Sequence, residues 1–369
     1  MRKLRGRARF YANALTNEQS DLVTQMDGGL TVLWAARAPA ILTAAALLCA
    51  GLIVALRPFL ERYALAQPNA RSSHKIPTPQ GGGIAVIAAT TVVCYGALHF
   101  LAADAAALPL AILFAAVILI AAVGVTADIR PIDVAPRLLL QAIAVAVAIY
   151  AVPPDLRILP IVPWWVERIA LVIGGLWFVN LTNFMDGIDW MTVAETVPIT
   201  GALAAIGVAG VLPPPAIVVS LALCGAVIGF AFFNRPVATL FLGDVGSLPI
   251  GLTLGWLLVL LAGNGGRAAA VLLPLYYVAD STITLVRRTV NRERVWQAHR
   301  AHFYQRAADR GFAVIDVVAR VFAVNVALAA LALATVLLPS PITDTAALTA
   351  GAALVGWLLV VLSRGRARA

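Results

Sequence analysis

The stretch ALPLAILFAAVILIAAVGVT (residues 107–126) decides the fold, because its twenty residues contain no charge. A helix needs roughly 20 apolar residues to cross the hydrocarbon core of a bilayer. Ten similar stretches lie on either side of it. The eleven candidate spans are 35–56, 82–101, 107–126, 136–152, 168–184, 191–211, 215–233, 246–262, 268–286, 317–338 and 345–363. The sequence therefore predicts an all-α integral membrane protein, a polytopic bundle of about 11 transmembrane helices.

The composition of the chain favours the same class. Hydrophobic residues make up 61% of the chain and charged residues 12%, about half the charged share of an average soluble domain. Arginines that flank the spans account for the net charge of +9, so we expect a lipid bilayer and no nucleic acid as partner. Cys49, Cys94 and Cys224 lie inside apolar stretches and are expected to be small core residues, not metal ligands or disulfides.

The first 34 residues differ from the rest of the chain. MRKLRGRARF (1–10) is basic, but residues 11–29 are largely polar, and no apolar segment follows directly as in a cleaved signal peptide. We predict residues 1–34 as an N-terminal tail, either disordered or the product of an upstream start site. Residues 35–369 are predicted as one membrane domain.

The distribution of Lys and Arg predicts the orientation. The loops that follow odd-numbered spans, and the C-terminus, carry most of these residues, and such loops are cytoplasmic in most membrane proteins. This places the N-terminus outside and the C-terminus inside, although the basic residues 1–10 oppose that orientation. All polar motifs then fall on the cytoplasmic face. They are RSSHKIPTPQGGG (71–83), TADIRPIDVAPR (126–137), NLTNFMDGIDW (180–190), NRPVATLFLGDVGS (234–247) and RERVWQAHRAHFYQR (292–306).

Four carboxylates are predicted on this face, at the ends of different helices: Asp128, Asp186, Asp189 and Asp244. A lone aspartate at a helix end is commonly a cap or a solvated group. Several together can instead hold a hard divalent cation such as Mg²⁺. Asn180, Asn183 and Asp186 recur every three residues, so a helix places them along one side. The alternative is an Asn ladder that holds helices together.

Two glycine-rich motifs are candidates for close approach to a ligand. FLGDVGS (241–247) places Asp244 in a glycine-flanked turn, although a simple turn also explains it. In PTPQGGG, the amides of Gly81 to Gly83 could bind phosphate at a helix start. A flexible loop is the alternative reading of the second motif.

Two histidines in the last motif suggest anion binding. His299 and His302 are three residues apart, so a helix places both on one face, and arginines lie nearby. No acidic or Cys ligand accompanies them, so a diphosphate clamp is favoured over zinc. A cytoplasmic charge cluster explains the arginines but not the histidines. Asp280 and Glu195 fall inside predicted spans and should face the bundle interior, because an ionisable group is costly in lipid.

In order and spacing, these five motifs resemble the polyprenyl-phosphate N-acetylhexosamine-1-phosphate transferases, a family that includes the phospho-N-acetylmuramoyl-pentapeptide transferase. The resemblance runs from about Arg71 to Gly311. NFMDGIDW, FLGDVGS and HRAHFYQR look most like the branch that initiates O-antigen. The resemblance implies transfer of a sugar-1-phosphate from a UDP-N-acetylhexosamine to undecaprenyl phosphate, with release of UMP. It also implies a bacterial inner membrane and an active site at the cytoplasmic face; a homodimer is left open.

The resemblance also assigns roles to residues. The implied catalytic residues are Asp128, Asp186, Asp189, Asp244 and His302. The implied substrate-binding residues are His74, Lys75, Asn180, Asn183, His299, Arg300 and Arg306. The implied Mg²⁺ ligands are Asp244, Asn183 and Asp186, with Mn²⁺ as the alternative ion.

The chain departs from the family pattern at two positions. Ala127 stands where the family has the first member of an aspartate pair, so only Asp128 remains, and Asp133 is too distant to be assumed a substitute. Trp190 replaces the usual glycine after DGID and is expected to narrow that turn. A phosphate monoester is mostly dianionic near pH 7, so we expect transfer to continue without the missing aspartate.

Two other functions remain open on the sequence. One is a catalytically weakened paralogue that binds polyprenyl phosphate, which Ala127 would explain. The other is a secondary transporter in which Asp280 and Glu195 form an ion path. Transporter sites lie near the middle of the bilayer, whereas most polar groups here cluster at one face, which disfavours the transporter.

Overall fold

The computed structural model describes residues 17–66, 77–100, 107–130, 132–293 and 299–364. The chain is helical almost throughout this part. The helices are α1 (Asn17–Tyr63), α2 (Gly82–Phe100), α3 (Ala107–Ile129), α4 (Val134–Tyr150), α5 (Trp164–Met185), α6 (Met191–Val208), α7 (Pro214–Ala231), α8 (Asp244–Gly263), α9 (Arg267–Leu272), α10 (Leu275–Val290), α11 (Phe303–Asp309), α12 (Val314–Leu337) and α13 (Pro341–Arg364). Two short strands, β1 (Leu65–Ala66) and β2 (Thr78–Pro79), pair antiparallel.

The predicted class, an all-α polytopic membrane protein, is confirmed. Within the described ranges, nine helices are long and apolar enough to cross a membrane: α1 from Ala36, α2, α3 from Leu108, α5, α6, α7, α8, α12 and α13. Helix α4 is apolar and shorter, with 17 residues. Each predicted span therefore has a helical counterpart, except that the ninth is built from two helices.

The break in the ninth span corrects the expectation of one continuous helix over 268–286. Helix α9 ends at Leu272, and α10 begins at Leu275 after Pro274. Proline has no N–H to donate and its ring clashes with the preceding turn, which favours a break here, although α6 and α8 continue through Pro198 and Pro249. Helix α10 then buries a polar face, which consists of Tyr276, Tyr277, Asp280, Ser281, Thr284 and Arg288.

Helix α8 lies at the centre of the bundle. It packs against α2, α3, α5 and α9, and most of its residues are buried. A Cβ atom built on Gly83 would lie 2.2 Å from the Cα of Gly246, and one on Gly124 would lie 2.5 Å from the carbonyl oxygen of Asp244. Such contacts are possible only for glycine, and small residues allow membrane helices to approach this closely. The polar N-terminus of α8 is thereby surrounded by the ends of other helices.

The remaining sequence predictions concern the cysteines and the N-terminus. Cys49, Cys94 and Cys224 are free and buried, as predicted. The chain divides into a unit of residues 1–40, helical from Asn17 in its described part, and a unit of residues 41–369. The basic segment 1–10 lies outside the described residues, and the proposed domain boundary at residues 34 and 35 stays a prediction.

Candidate active site

Asp128, at the end of α3, caps the start of α8. Its Oδ1 accepts a hydrogen bond from the backbone N–H of Asp244 at 3.0 Å, and its Oδ2 accepts one from Val245 at 3.1 Å. Gln80 donates its side-chain amide to the same carboxylate. A carboxylate at a helix N-terminus satisfies free amides and complements the helix dipole. The contacts of Asp128 are therefore explained by its role as the N-terminal cap of α8.

Gly243 makes this cap sterically possible. Its φ is +78°, a conformation that L residues rarely adopt. A Cβ atom at this position would lie 2.6 Å from Oδ2 of Asp128. The first glycine of the GDVGS motif is thus required both by backbone conformation and by the approach of α3.

Asp244 connects α8 to α4 and α5. Its Oδ1 accepts a hydrogen bond from Nδ2 of Asn183 at 2.7 Å, and its Oδ2 forms an ion pair with Arg137 at 2.8 Å. The guanidinium of Arg137 also donates to Oδ1 of Asn183 at 3.3 Å. The side chains of Arg137 and Asp244 are 26% and 25% exposed, so a dissolved molecule can reach them.

Arg137 is a member of this cluster that sequence reasoning missed. It lies in the first turn of α4, beside a predicted span. In the sequence it is one of many arginines next to spans, and each is explained by membrane orientation alone. Its position beside Asp244 and Asn183 is visible only in the structure.

The predicted Asn ladder divides between two roles. Asn183 also donates to Oγ of Ser247 at 2.8 Å, so it belongs to the cluster at the start of α8. Asn180, predicted to bind substrate, instead donates to Oε1 of Gln141 and to the carbonyl of Leu176, each at 2.8 Å. The side-chain amide of Asn180 thus joins α5 to α4, as the alternative of an Asn ladder between helices predicts.

Asp186 and Asp189 lie in the turn between α5 and α6. Asp186 accepts a hydrogen bond from Oγ1 of Thr192 at 2.5 Å, and Asp189 accepts one from the backbone N–H of Ala238 at 3.0 Å. Burial raises the pKa of Asp186 to about 7, against the effect of the Thr192 hydrogen bond. Three neighbouring negative charges add to the rise: Asp244, Asp128 and Asp189. Asp186 is therefore close enough to the other three predicted carboxylates to be affected by their charge.

The histidine segment packs beside the same turn. The hydroxyl of Tyr304 donates to the carbonyl of Phe184 at 2.9 Å, and it lies 2.2 Å from where a Cβ atom on Gly187 would be. His302 is buried, and its ring stacks on His299 with 4.9 Å between centroids. The structure thus brings the predicted histidines to the DGID turn.

The predicted arginines of this segment carry its positive charge. Arg300 pairs with Asp309 at 2.8 Å. Burial lowers the pKa of Arg306, and the positive charges of Arg287 and Arg310 lower it further. Positive charge therefore accumulates around the start of α11, which suits an anionic ligand.

The structure contradicts the prediction that Gly81 to Gly83 present their amides to phosphate. The N–H groups of Gly81 and Gly82 donate to the carbonyl of Phe241, and that of Gly83 donates to Leu242. These donors are already satisfied by backbone, and Gly83 serves the close packing on α8. His74 and Lys75, predicted near the lipid phosphate, lie outside the described residues.

A magnesium site can be tested against the donors at hand. Within the described ranges, no three His, Cys, Asp or Glu side chains are arranged to hold a metal ion. Mg²⁺ is commonly bound by one or two carboxylates together with waters and substrate phosphates. Asp186 is affected by the negative charge of Asp244 although Asp244 pairs with Arg137, and a bound cation would reduce this repulsion. The donor set therefore fits Mg²⁺ that binds together with a diphosphate, but not a closed protein cage.

The two acidic residues predicted inside spans have separate partners. Glu195 accepts a hydrogen bond from Nδ2 of Asn325 at 2.6 Å, which joins α6 to α12. Asp280 accepts from His302 and from the start of α11. Each is held by a specific partner, and no contact joins the two in the described residues, so an ion path through both is disfavoured.

An apolar cavity lies between four helices that also carry residues of the cluster or neighbour it. Its volume is about 220 Å³, and it lies among α4, α5, α8 and α9. Its lining includes Gly174, Gly175, Val179, Gly251 and Gly255. Val179 is about one helical turn from Asn183, so on α5 the cavity begins about one turn from the polar cluster.

Comparison with known proteins shows similarity to a family model and to curated relatives. Residues 110–262 match the model of glycosyl transferase family 4, and this segment contains Asp128, Arg137, Asn183 and Asp244. The chain is 23% identical over 274 residues to the "Probable undecaprenyl-phosphate N-acetylglucosaminyl 1-phosphate transferase" of Bacillus subtilis (strain 168). That alignment covers 69% of this chain and 74% of the relative. The predicted family resemblance is confirmed by both matches.

Proposed function

We propose, from the match of residues 110–262 to glycosyl transferase family 4 and the similarity to the Bacillus subtilis relative, that the protein moves a sugar-1-phosphate onto undecaprenyl phosphate. The donor in this proposal is a UDP-N-acetylhexosamine, and the second product is UMP. The observation that carries the proposal is the meeting of Asp244, Asn183 and Arg137 at the start of α8, with Asp186 near enough to feel the charge of Asp244. An apolar cavity lies among α4, α5, α8 and α9. A phosphate transfer between a soluble and a lipid substrate needs a charged site for the phosphates and an apolar surface for the lipid.

Magnesium is the cofactor in this proposal, with Mn²⁺ as the alternative. Asp244 and Asp186 would hold the ion with help from Asn183, and phosphate oxygens of the donor would complete its coordination. When bound, the ion neutralises charge on the diphosphate. Arg137 lies beside Asp244 and supplies a second positive charge to the same region.

The reaction follows from these positions. A phosphate oxygen of undecaprenyl phosphate attacks the β-phosphorus of the UDP-sugar. The bond from that phosphorus to the bridging oxygen breaks, and UMP leaves with the oxygen. The lipid tail would lie against the apolar cavity, and the basic segment near His299 and Arg306 would contact the nucleotide phosphates. Positioning and charge neutralisation are the main contributions of a protein to phosphoryl transfer.

The finer parts of the proposal concern place and product. We place the protein in a bacterial inner membrane, with the N-terminus outside and the C-terminus in the cytoplasm, and its product at the start of an O-antigen-like glycan. Whether the protein forms a homodimer has to be measured.

Orientation is tested with an impermeant thiol reagent: Asp155→Cys should react in intact cells, and Arg130→Cys should react only after the membrane is opened. The reverse pattern contradicts the orientation.

The competing functions predict different products. A weakened paralogue would bind undecaprenyl phosphate without forming lipid-linked sugar. A secondary transporter would move a solute and need no lipid acceptor.

A transfer assay separates these functions. Purified protein is supplied with radiolabelled UDP-GlcNAc, undecaprenyl phosphate and Mg²⁺, and lipid-linked sugar and UMP are counted. We expect both products in equal amounts, and a panel of UDP-N-acetylhexosamines then identifies the sugar. Absence of product with every donor contradicts the proposed activity.

One substitution tests the position of the site. Asp244→Asn should lower turnover by about 10²-fold or more, because a carboxylate toward the ion and Arg137 is lost. Asp344→Asn, in the first turn of α13, is the matched control and should retain normal turnover. Near-normal turnover of Asp244→Asn contradicts the metal role.

A further inference from the structure

Asp280 is a buried carboxylate for which the proposed reaction has no assigned task. Its exposed fraction is 0%. Its two oxygens receive contacts from five groups of α10 and of the start of α11. These are the Tyr276 hydroxyl, the Thr284 hydroxyl, Nδ1 of His302 and the backbone N–H groups of Phe303 and Tyr304.

These contacts determine which nitrogen of His302 carries its proton. Backbone N–H groups can only donate, and an ionised carboxylate can only accept. With Asp280 as the acceptor of all five contacts, Nδ1 of His302, 3.1 Å from Oδ1, is the N–H donor of this pair. The other ring nitrogen, Nε2, takes no part in the contact with Asp280.

Nε2 of His302 is buried and has no hydrogen-bond partner among the described residues. Most buried polar atoms in native proteins are paired, so an unpaired one calls for an explanation. The ring lies between His299, Tyr304 and Phe184, next to the DGID turn. A bound phosphate oxygen is a partner that would satisfy a protonated Nε2 at this place.

We propose that Asp280 is a positioning residue that acts through His302. Its carboxylate holds the imidazole by Nδ1, so that Nε2 is directed to a phosphate oxygen of the nucleotide sugar. Nε2 donates to this oxygen in the form of the ring that carries a proton on both nitrogens. The same carboxylate caps α11 through two amides, and Tyr304 joins α11 to Phe184. The position of α11 and the orientation of the His302 ring therefore both depend on the side chain of Asp280.

The inference rests on the proposed function, and a double-mutant cycle tests it. Asp280→Asn keeps an acceptor for Nδ1 but removes the charge, and kcat should fall roughly 10- to 100-fold, as for other carboxylates that orient a histidine. His302→Gln should cost at least as much. In the His302→Gln background, Asp280→Asn should cost less than about twofold, because its effect passes through the ring. Multiplying losses would overturn the proposal, since a purely structural cap predicts them.

Two further measurements keep the test decisive. Thr284→Val removes another donor to Asp280 without touching His302, and kcat should stay within about twofold. A loss as large as that of Asp280→Asn would indicate general damage to α10 and overturn the proposal.

The second measurement is independent of turnover. The chain has four histidines, so ¹⁵N-histidine NMR of the whole protein in detergent is simple to assign with His302→Gln. We expect His302 to be protonated at Nδ1, and UMP to shift its Nε2 signal in wild type but less in Asp280→Asn. A ring protonated only at Nε2, or no UMP response, overturns the proposal even if transfer is normal. Absence of transfer together with a UMP response would instead contradict the proposed function alone.

Discussion

At the scale of single residues, the loss of one aspartate raises the question of a general base. Ala127 is half-buried at the end of α3, and its neighbour Asp128 is engaged with the amides of α8. Asp133 is exposed and makes no side-chain cap on α4, so it does not replace the missing carboxylate. The site therefore contains negatively charged side chains. None of positions 127, 128 and 133 provides a carboxylate that is available as a general base.

The variant Ala127→Asp tests whether a base is needed. We expect wild type and variant to differ by less than about tenfold in turnover, because the lipid phosphate is already mostly dianionic near pH 7. General bases typically contribute 10²–10⁴-fold. A wild type without activity that the added aspartate rescues, measured in the radiolabel assay, would refute this expectation.

Trp190 is the other departure from the family pattern. It has φ +61° at the start of α6, which is the conformation that favours glycine. Its indole N–H donates to the carbonyl of Ala231 at 2.6 Å, and its backbone N–H donates to Asn234. The turn keeps the backbone conformation suited to glycine, and the indole anchors it to the end of α7.

A pair of substitutions tests this account of Trp190. Both Trp190→Gly and Trp190→Ala lose the indole, but only alanine retains the strain of positive φ, so the glycine variant should be more stable by about 1 kcal/mol. Thermal unfolding in detergent measures the difference. At Ala194, inside α6, the order should reverse, with Ala194→Gly less stable than wild type by about 1 kcal/mol. Equal stability of the two Trp190 variants would contradict the account.

At the scale of elements, the N-terminus of α8 organises the site. Asp128 caps it, and Asp244 in its first turn binds Asn183 of α5 and Arg137 of α4. Glycines at Gly83 and Gly124 let α2 and α3 approach it. The chemistry of this site therefore depends on how closely helices can pack.

Gly83→Ala tests that dependence. The added methyl would meet the backbone of Gly246, which cannot move aside as a side chain can, so we expect a loss of at least about 3 kcal/mol in stability or no folded protein. Gly96→Ala, in the same helix, is the control, because nothing lies within 4 Å of its Cβ position. Fluorescence-detected size exclusion and thermal unfolding compare the two. Similar behaviour of both variants would show that the close approach is not needed.

At the scale of the whole molecule, the site is assembled from ends of α3, α4, α5 and α8 with the loop before α11. The described residues hold no closed metal cage, and in the proposed function substrate phosphates would complete the donors. This arrangement suits an enzyme whose two substrates arrive from different phases.

The assembly predicts how metal binding depends on substrate. Mg²⁺ alone should raise the unfolding temperature little, and Mg²⁺ with UDP-GlcNAc should raise it more than the sum of both, because donor phosphates complete the ion's coordination. EDTA should abolish transfer, and added Mg²⁺ should restore it. A large stabilisation by Mg²⁺ alone, or transfer in EDTA, would contradict the prediction.

The site was predictable from sequence only in part. Asp244 and Asn183 could be named because glycine turns and helical spacing mark them, and they meet as expected. Arg137 could not, since it resembles any arginine beside a span. Asn180 and Asp128 carry the same residue types as active-site groups, yet their hydrogen bonds join helices. Residue type limits the chemistry, whereas the neighbours decide which group is free to perform it.

The sequence by itself determined that the chain is a bundle of membrane helices, because the length and apolarity of each span are local properties that lipid selects directly. It also predicted that the polar motifs share one face, since spans of fixed length alternate in direction, and Asp128, Asn183 and Asp244 from three of these motifs do meet. Only the tertiary structure decided that Pro274 splits the ninth span and that Gly81 to Gly83 serve packing. It also decided that Asp280 holds His302. These outcomes depend on contacts between residues far apart in the chain, and no local pattern records such contacts.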